Sequence, residues 1–91
     1  MSENQAYTLE LTLEAKEDLR KIDKSNASRI VKKLLWLAEN AKNVNHDALT
    51  GQWTGYYRWR IGHYRAIYKL DHNGRILLVA VIGHRREVYD E

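Results

Sequence analysis

The chain has no cysteine, no proline and no phenylalanine, and only five glycines among its 91 residues. Without cysteine, disulfides and thiolate metal sites are excluded, and nothing requires an oxidising compartment. Without proline, the turns must rest on Gly, Asn and Asp. No apolar run approaches the roughly 18 residues that a membrane-spanning helix needs. The polar residues 1–7 do not read as a secretory leader. A cytoplasmic location and no membrane partner are therefore expected. The four histidines, at positions 46, 63, 72 and 84, have no metal-ligand spacing and no acidic cluster beside them, so neither metal nor cofactor is expected. The length suits one domain, residues 1–91, with a limited core and a thin stability margin.

What is present is aromatic and basic. Three tryptophans and six tyrosines supply rings that also hydrogen-bond, suited to core packing, nucleobases or a partner protein. The net charge of +3 hides an asymmetry. Residues 1–57 carry eight basic and eight acidic side chains, which cancel. Residues 58–86 hold seven basic residues (Arg58, Arg60, Arg65, Lys69, Arg75, Arg85 and Arg86) against the single acid Asp71. So one-sided a field attracts polyanions and steers their approach.

Residues 7–13 (YTLELTL) alternate polar and apolar, the period of a strand with Leu9, Leu11 and Leu13 facing inward. Thr12 is a plausible N-cap for a helix with Ala15, Leu19 and Ile22 on its buried stripe. Residues 23–26 read as a break. A second helix is predicted from Ser25 or Asn26 to Asn40, with Ile30, Leu34 and Leu37 inward. Residues 41–56 read as a connecting loop. Three strands follow: residues 57–61, residues 64–70, and the nearly continuous apolar run 75–82 expected at the sheet centre. Gly62-His63 is a candidate two-residue turn, and Asn73-Gly74 suits the positive backbone angles of a type I′ hairpin. The predicted order is βααβββ, an α+β fold of one antiparallel sheet packed against a helical hairpin.

The turn at Gly62-His63 sets Ile61 against Tyr64 and Arg60 against Arg65. Alternation then collects Arg58, Arg60 and Arg65 on one face. Like charges directly opposite each other destabilise a sheet, so tolerating them suggests an anion belonging on that face, either a phosphate or an acidic partner segment. Pairing through Asn73-Gly74 brings residue 82 opposite residue 65. Strict alternation gives His84 to the face of Arg65, whereas a bend at Gly83 gives it Arg85 instead, and the sequence leaves both open.

The run of residues 49–68 (LTGQWTGYYRWRIGHYRAIY), followed by residues 81–89 (VIGHRREVY), resembles the RelE/ParE superfamily of toxins from type II toxin–antitoxin systems. The shared pattern is an L-x-G loop, a Y-R-x-R-x-G-x-Y-R-x-x-Y hairpin and a closing G-H-R-x-x-V-Y, of which the closing segment favours the RelE branch. With the preceding strand and helix pair, the resemblance spans nearly the whole chain. It implies a metal-independent endoribonuclease that enters the ribosomal A site and cuts mRNA by attack of the 2′-hydroxyl on the scissile phosphate. By position, Arg65 resembles the arginine that holds that phosphate. Arg85 resembles the one that stabilises the transition state or assists the leaving oxygen. Tyr89 resembles the tyrosine that contacts the substrate. Arg58 and Arg60 stand where the best-known members carry lysine, and Arg86 extends the phosphate-binding set. An arginine is a poor general base, because its pKa lies above about 12. Candidates for deprotonating the 2′-hydroxyl are His63, His84 and Tyr89, or the arginine field itself. The resemblance also implies a cognate antitoxin as partner, alongside mRNA and the ribosome. Two other readings of the same scaffold are a ParE-like gyrase poison and a degenerate toxin that only binds its antitoxin. Outside these motifs, Lys32 and Lys33 read as a solvated helix face. Trp36 and Trp59 read as packing residues.

Overall fold

The structure is a computed structural model that describes residues 6–84. Its elements are β1 (Thr8–Leu11), α1 (Leu13–Arg20), α2 (Lys24–Glu39), β2 (Asp47–Ala48), β3 (Tyr57–Ile61), β4 (Tyr64–Asp71) and β5 (Ile76–His84). The five strands form one sheet in the order β1-β5-β4-β3-β2. The two helices cover one of its faces, giving the expected α+β architecture.

Thr12 starts α1 by accepting the Ala15 N–H at 3.1 Å, which satisfies one of the free donors of a helix N-terminus. The strand period therefore ends at Leu11, and Leu13 is 74% exposed as the first helical residue rather than inward. The expected break at residues 23–26 shrinks to its first member. Asp23 accepts the Asn26 N–H at 3.1 Å and caps α2, so Lys24, Ser25 and Asn26 form the first helical turn. Ile30, Leu34, Leu37 and Ala38 then lie on the buried stripe. They pack with Ala15, Ile61, Ala66, Tyr68, Leu77, Val79 and Ile82 into one core between helices and sheet.

The sheet is mixed rather than antiparallel, because β1 pairs parallel to β5, with Thr8 against Ile76 and Leu11 against Val79. Two helices intervene before the next strand, so β1 is not bound into a hairpin and takes the open edge of β5 instead. The 41–56 connection is also more ordered than a loop. It contains 3-10 turns at Ala41–Asn43 and Gly51–Trp53, and between them β2, which adds to the edge of β3. His46 fixes this segment. Its Nε2–H donates to the Ala41 carbonyl at 2.7 Å, which leaves Nδ1 to accept from the Tyr68 hydroxyl.

The β3–β4 turn has the expected two residues, with Gly62 at φ 61°, a left-handed angle that glycine adopts without strain. The β4–β5 connection departs from the type I′ expectation. Pairing ends at Asp71 and Ile76, and the left-handed residue is Arg75 at φ 55°, not Asn73 or Gly74. The Asp71 carboxylate accepts the Gly74 N–H at 3.1 Å and closes the wider turn.

Candidate functional site

Tyr57, Trp59 and Ile61 of β3 turn toward the helices, so alternation gives Arg58 and Arg60 to the opposite face. Arg60 and Arg65 are Cα partners, and Arg58 lies opposite Ile67. Arg58, Arg60 and Arg65 thus share one sheet face. Arg60 is exposed, while Arg58 and Arg65 are half-buried. Two guanidinium groups on directly paired positions repel each other, and a phosphate placed between them removes that repulsion.

Arg58 has a carboxylate at hand. Asp47, its Cα partner on β2, accepts from Arg58 Nε at 2.9 Å and from Nη2 at 2.6 Å, both through Oδ2. That is the edge with which a guanidinium clasps a phosphate in bidentate fashion. The Asp47 side chain is 55% exposed and that of Arg58 20%. Nothing in the sequence signals this pair, since a two-residue strand leaves no periodicity to detect.

The register of β5 corrects the expected placement of residue 82. Near the turn the pairing follows expectation, with Tyr68 opposite Val79, but Ile67 pairs with Val81 and Ala80 is left as an extra residue. This bulge shifts the strand by one, so that Gly83 rather than Ile82 opposes Arg65. The α1 N-cap holds it. Thr12 N–H donates to the Val79 carbonyl at 3.0 Å, and the Thr12 hydroxyl donates to the Ala80 carbonyl at 2.8 Å. Farther along, the Ile82 N–H reaches past the end of β1 and donates to Asp18 Oδ2 at 2.9 Å.

The shift decides where His84 goes. It pairs with Tyr64 on the helix-covered face, with its ring 5.8 Å from that of Tyr64 and edge-on to it. It also stacks on the exposed ring of His63 at 6.2 Å. His84 therefore lines a cleft with Asp18, Lys21 and Ile22, on the other side of the sheet from Arg60 and Arg65. The structure brings together Arg58, Arg60 and Arg65 and does not bring His63 or His84 to them. Arg85, Arg86 and Tyr89 lie outside the described residues.

Behind the arginine face, Tyr68 is fully buried, and its ring lies 5.5 Å from that of Tyr57. Burial, reinforced by Tyr57 and Asp47, pushes its phenol well above the ordinary value of 10.0. Its hydroxyl therefore stays protonated and acts as a donor to His46, with a structural role rather than an acid–base one. Among the described residues no group of three or more His, Asp or Glu side chains is placed to hold a metal ion. No helix there is long and apolar enough to cross a membrane.

The same fold occurs in solved structures. The toxin–antitoxin complex RelBE2 from Mycobacterium tuberculosis superposes with a TM-score of 0.80 at 24% identity, over 90% of this chain and 94% of that one. The isolated E. coli RelE toxin gives 0.72 at 25% identity, over 92% of each chain. The chromosomal ParDE system from P. aeruginosa gives 0.69 at 15% identity, over 88% of this chain and 97% of that one. No curated protein sequence matches the chain. The sequence profile of the family described as the ParE toxin of the type II toxin–antitoxin system parDE matches residues 9–89, from β1 to beyond the arginine hairpin. The chain therefore belongs to that family of type II toxins, within the RelE/ParE superfamily.

Proposed function

We propose that this toxin is a metal-independent endoribonuclease that cleaves mRNA in the ribosomal A site. The observation that carries the reading is the Arg60–Arg65 pair, two permanent cations on facing positions of one sheet face. In the proposed reaction the RNA 2′-hydroxyl attacks the adjacent phosphorus and the bond from phosphorus to the 5′-oxygen breaks. The products are a 2′,3′-cyclic phosphate and a 5′-hydroxyl, so the proton lost by one oxygen is balanced by one gained at the other. Arg65 and Arg60 neutralise the non-bridging oxygens as charge builds on them. Arg58 and Arg86 hold neighbouring phosphates, Arg85 stabilises the leaving oxygen and Tyr89 contacts the substrate. His63 and His84 stand off the arginine face, which favours the other two candidates for activating the 2′-hydroxyl, namely Tyr89 and the lowering of the hydroxyl's own pKa by the local cations. The proposed setting is the cytoplasm, and the natural inhibitor is a cognate antitoxin.

The family's description and the ParDE likeness favour a second reading, a gyrase poison on the same scaffold. Mapping mRNA 5′ ends by primer extension in a translating extract, with and without EDTA, separates the two. The proposal expects EDTA-resistant cuts in the A-site codon that vanish with Arg65→Ala, while the melting temperature stays level or rises as the repulsion with Arg60 is relieved. Intact mRNA together with gyrase-trapped DNA breaks would overturn it.

A further inference from the structure

Pairing between β3 and β4 runs from Ile61 and Tyr64 to Tyr57 and Tyr68. One step farther it sets Tyr56 opposite Lys69. Alternation puts both on the face of Arg58, Arg60 and Arg65, and Lys69 Nζ lies 5.7 Å from the centre of the Tyr56 ring. The Trp53 ring stands 5.3 Å from that of Tyr56 and 85° from parallel to it. We propose that Trp53, Tyr56 and Lys69 form a nucleotide subsite, in which the two rings stack one base of an RNA strand and the ammonium meets its phosphate. The inference deepens the ribonuclease reading and rests on it for the identity of the strand.

Core packing does not account for the two rings. Tyr57, Trp59 and Tyr64 lie against the core, whereas Trp53 and Tyr56 do not, and both stay half-buried. Their backbone is nevertheless fixed. The Trp53 N–H donates to the Thr50 carbonyl at 3.2 Å, the Thr54 N–H to the Gly51 carbonyl at 3.1 Å, and the Tyr56 N–H to the Trp53 carbonyl at 3.0 Å. The Thr54 hydroxyl adds a second bond to the Gly51 carbonyl at 2.7 Å. The Leu49 N–H donates to the Tyr56 carbonyl at 3.0 Å, which carries the β2–β3 ladder one pair beyond Ala48 and Tyr57. Between the two aromatic residues Gly55 has φ 96°, an angle that a larger residue would hold only under strain. Little order is left for a ligand to impose, which lowers the cost of binding.

The geometry suits a nucleotide. A base laid parallel to one ring is perpendicular to the other, and stacked and edge-on contacts are the two arrangements that aromatic pairs favour. Every nucleotide carries a π face and a phosphate together, so one unit of the strand engages both rings and the cation. Lys69 is exposed, and among the described residues no carboxylate forms an ion pair with it. On β4 it stands four residues from Arg65, about 13 Å along an extended strand. The subsite therefore takes a nucleotide near the scissile one and not the scissile one itself.

The test is fluorescence anisotropy of the full chain with a labelled 2′-O-methyl oligouridylate, which lacks the attacking hydroxyl, and with the same backbone stripped of its bases. Both are titrated across a potassium chloride series. Trp53→Leu and Tyr56→Leu keep apolar bulk without a ring, and circular dichroism melts establish that they are folded. Each should weaken binding of the intact oligomer about fivefold or more, leave that of the abasic one within about twofold, and leave the salt slope unchanged. Tyr56→Phe, which keeps the ring, should bind like the wild type. Lys69→Met should instead lower the slope by about 0.7. Leu variants that bind the intact oligomer as the wild type does, while Arg65→Ala weakens it, would overturn the subsite and leave the arginine reading standing. Affinity that falls in the Leu variants but not in Arg65→Ala would keep the subsite and remove the arginine reading. Intact and abasic oligomers bound equally well would leave the rings to a protein ligand and sink the proposal. So would Leu variants that weaken both oligomers alike, because the rings would then only shape the loop.

Discussion

Replacing Asp47 with Asn tests whether the arginine face is a polyanion site with one of its cations held in check. The change removes a negative charge but keeps an oxygen acceptor within reach of Arg58 Nε and Nη2, now 2.9 and 2.6 Å from the Asp47 carboxylate. With side-chain exposures of 20% for Arg58 and 55% for Asp47, the pair is partly solvated through its carboxylate. Such pairs contribute about 0.2–1 kcal/mol, so a loss of about 0.5 kcal/mol is expected, roughly 2–4 °C in melting temperature for a domain of this size. The gain on the RNA side is larger. If Arg58 becomes available to one more phosphate, the slope of log K against log salt for a single-stranded RNA steepens by about 0.7. At about 0.1 M salt that corresponds to roughly fivefold tighter binding. Fluorescence anisotropy of a labelled oligoribonucleotide across a potassium chloride series reads the slope and the affinity together. A steeper slope with a slightly lower melting temperature is the expected result. An unchanged slope would mean that Asp47 does not hold Arg58 back from the RNA. No RNA binding by the wild type, or binding unaffected by Arg60→Ala, would remove the polyanion reading itself.

Two further substitutions probe how the site is held. Tyr68→Phe deletes the hydroxyl that donates to His46 Nδ1 and leaves a half-buried acceptor unmet, so urea melts should show a loss of about 1 kcal/mol. Because burial keeps the folded phenol protonated above 10.0, the unfolded chain binds fewer protons at alkaline pH. Wild-type stability should therefore fall as pH rises past that value, more steeply than in Tyr68→Phe. Thr12→Val removes both the cap of α1 and the hydrogen bond to Ala80 at the bulge. A loss of about 1–2 kcal/mol is expected from the cap alone, and RNA affinity should fall beyond what lower stability accounts for, measured where both proteins are fully folded. An affinity that follows stability alone would show that the bulge does not position the site.

The parts of the fold legible in the sequence are those fixed by neighbours in the chain. The buried stripe of α2 follows from a 3.6-residue period, and the β3–β4 register follows from clean alternation on both sides of Gly62-His63. The direction of β1 was not legible, because Leu9 and Leu11 record which way a strand faces and not which strand it joins. Nor was β2. Its two residues are held by His46 through the Ala41 carbonyl and the Tyr68 hydroxyl, the latter 22 positions away.

The site divides along the same line. Placing Arg60 against Arg65 requires only one turn length and one alternation, both local. Assigning faces at the end of β5 requires knowing that Ala80 bulges, and that is decided by Thr12, 68 positions earlier in the chain. A slip of one residue sends every later side chain to the other face, which is why His84 stands beside Tyr64 and Gly83 beside Arg65. The strand itself could not signal the slip. Residues 76–82 read ILLVAVI, apolar at every position, so they satisfy either parity equally well. Hydrogen bonds with the N-cap and body of α1, to the Val79 and Ala80 carbonyls from Thr12 and from the Ile82 N–H to Asp18, distinguish one from the other.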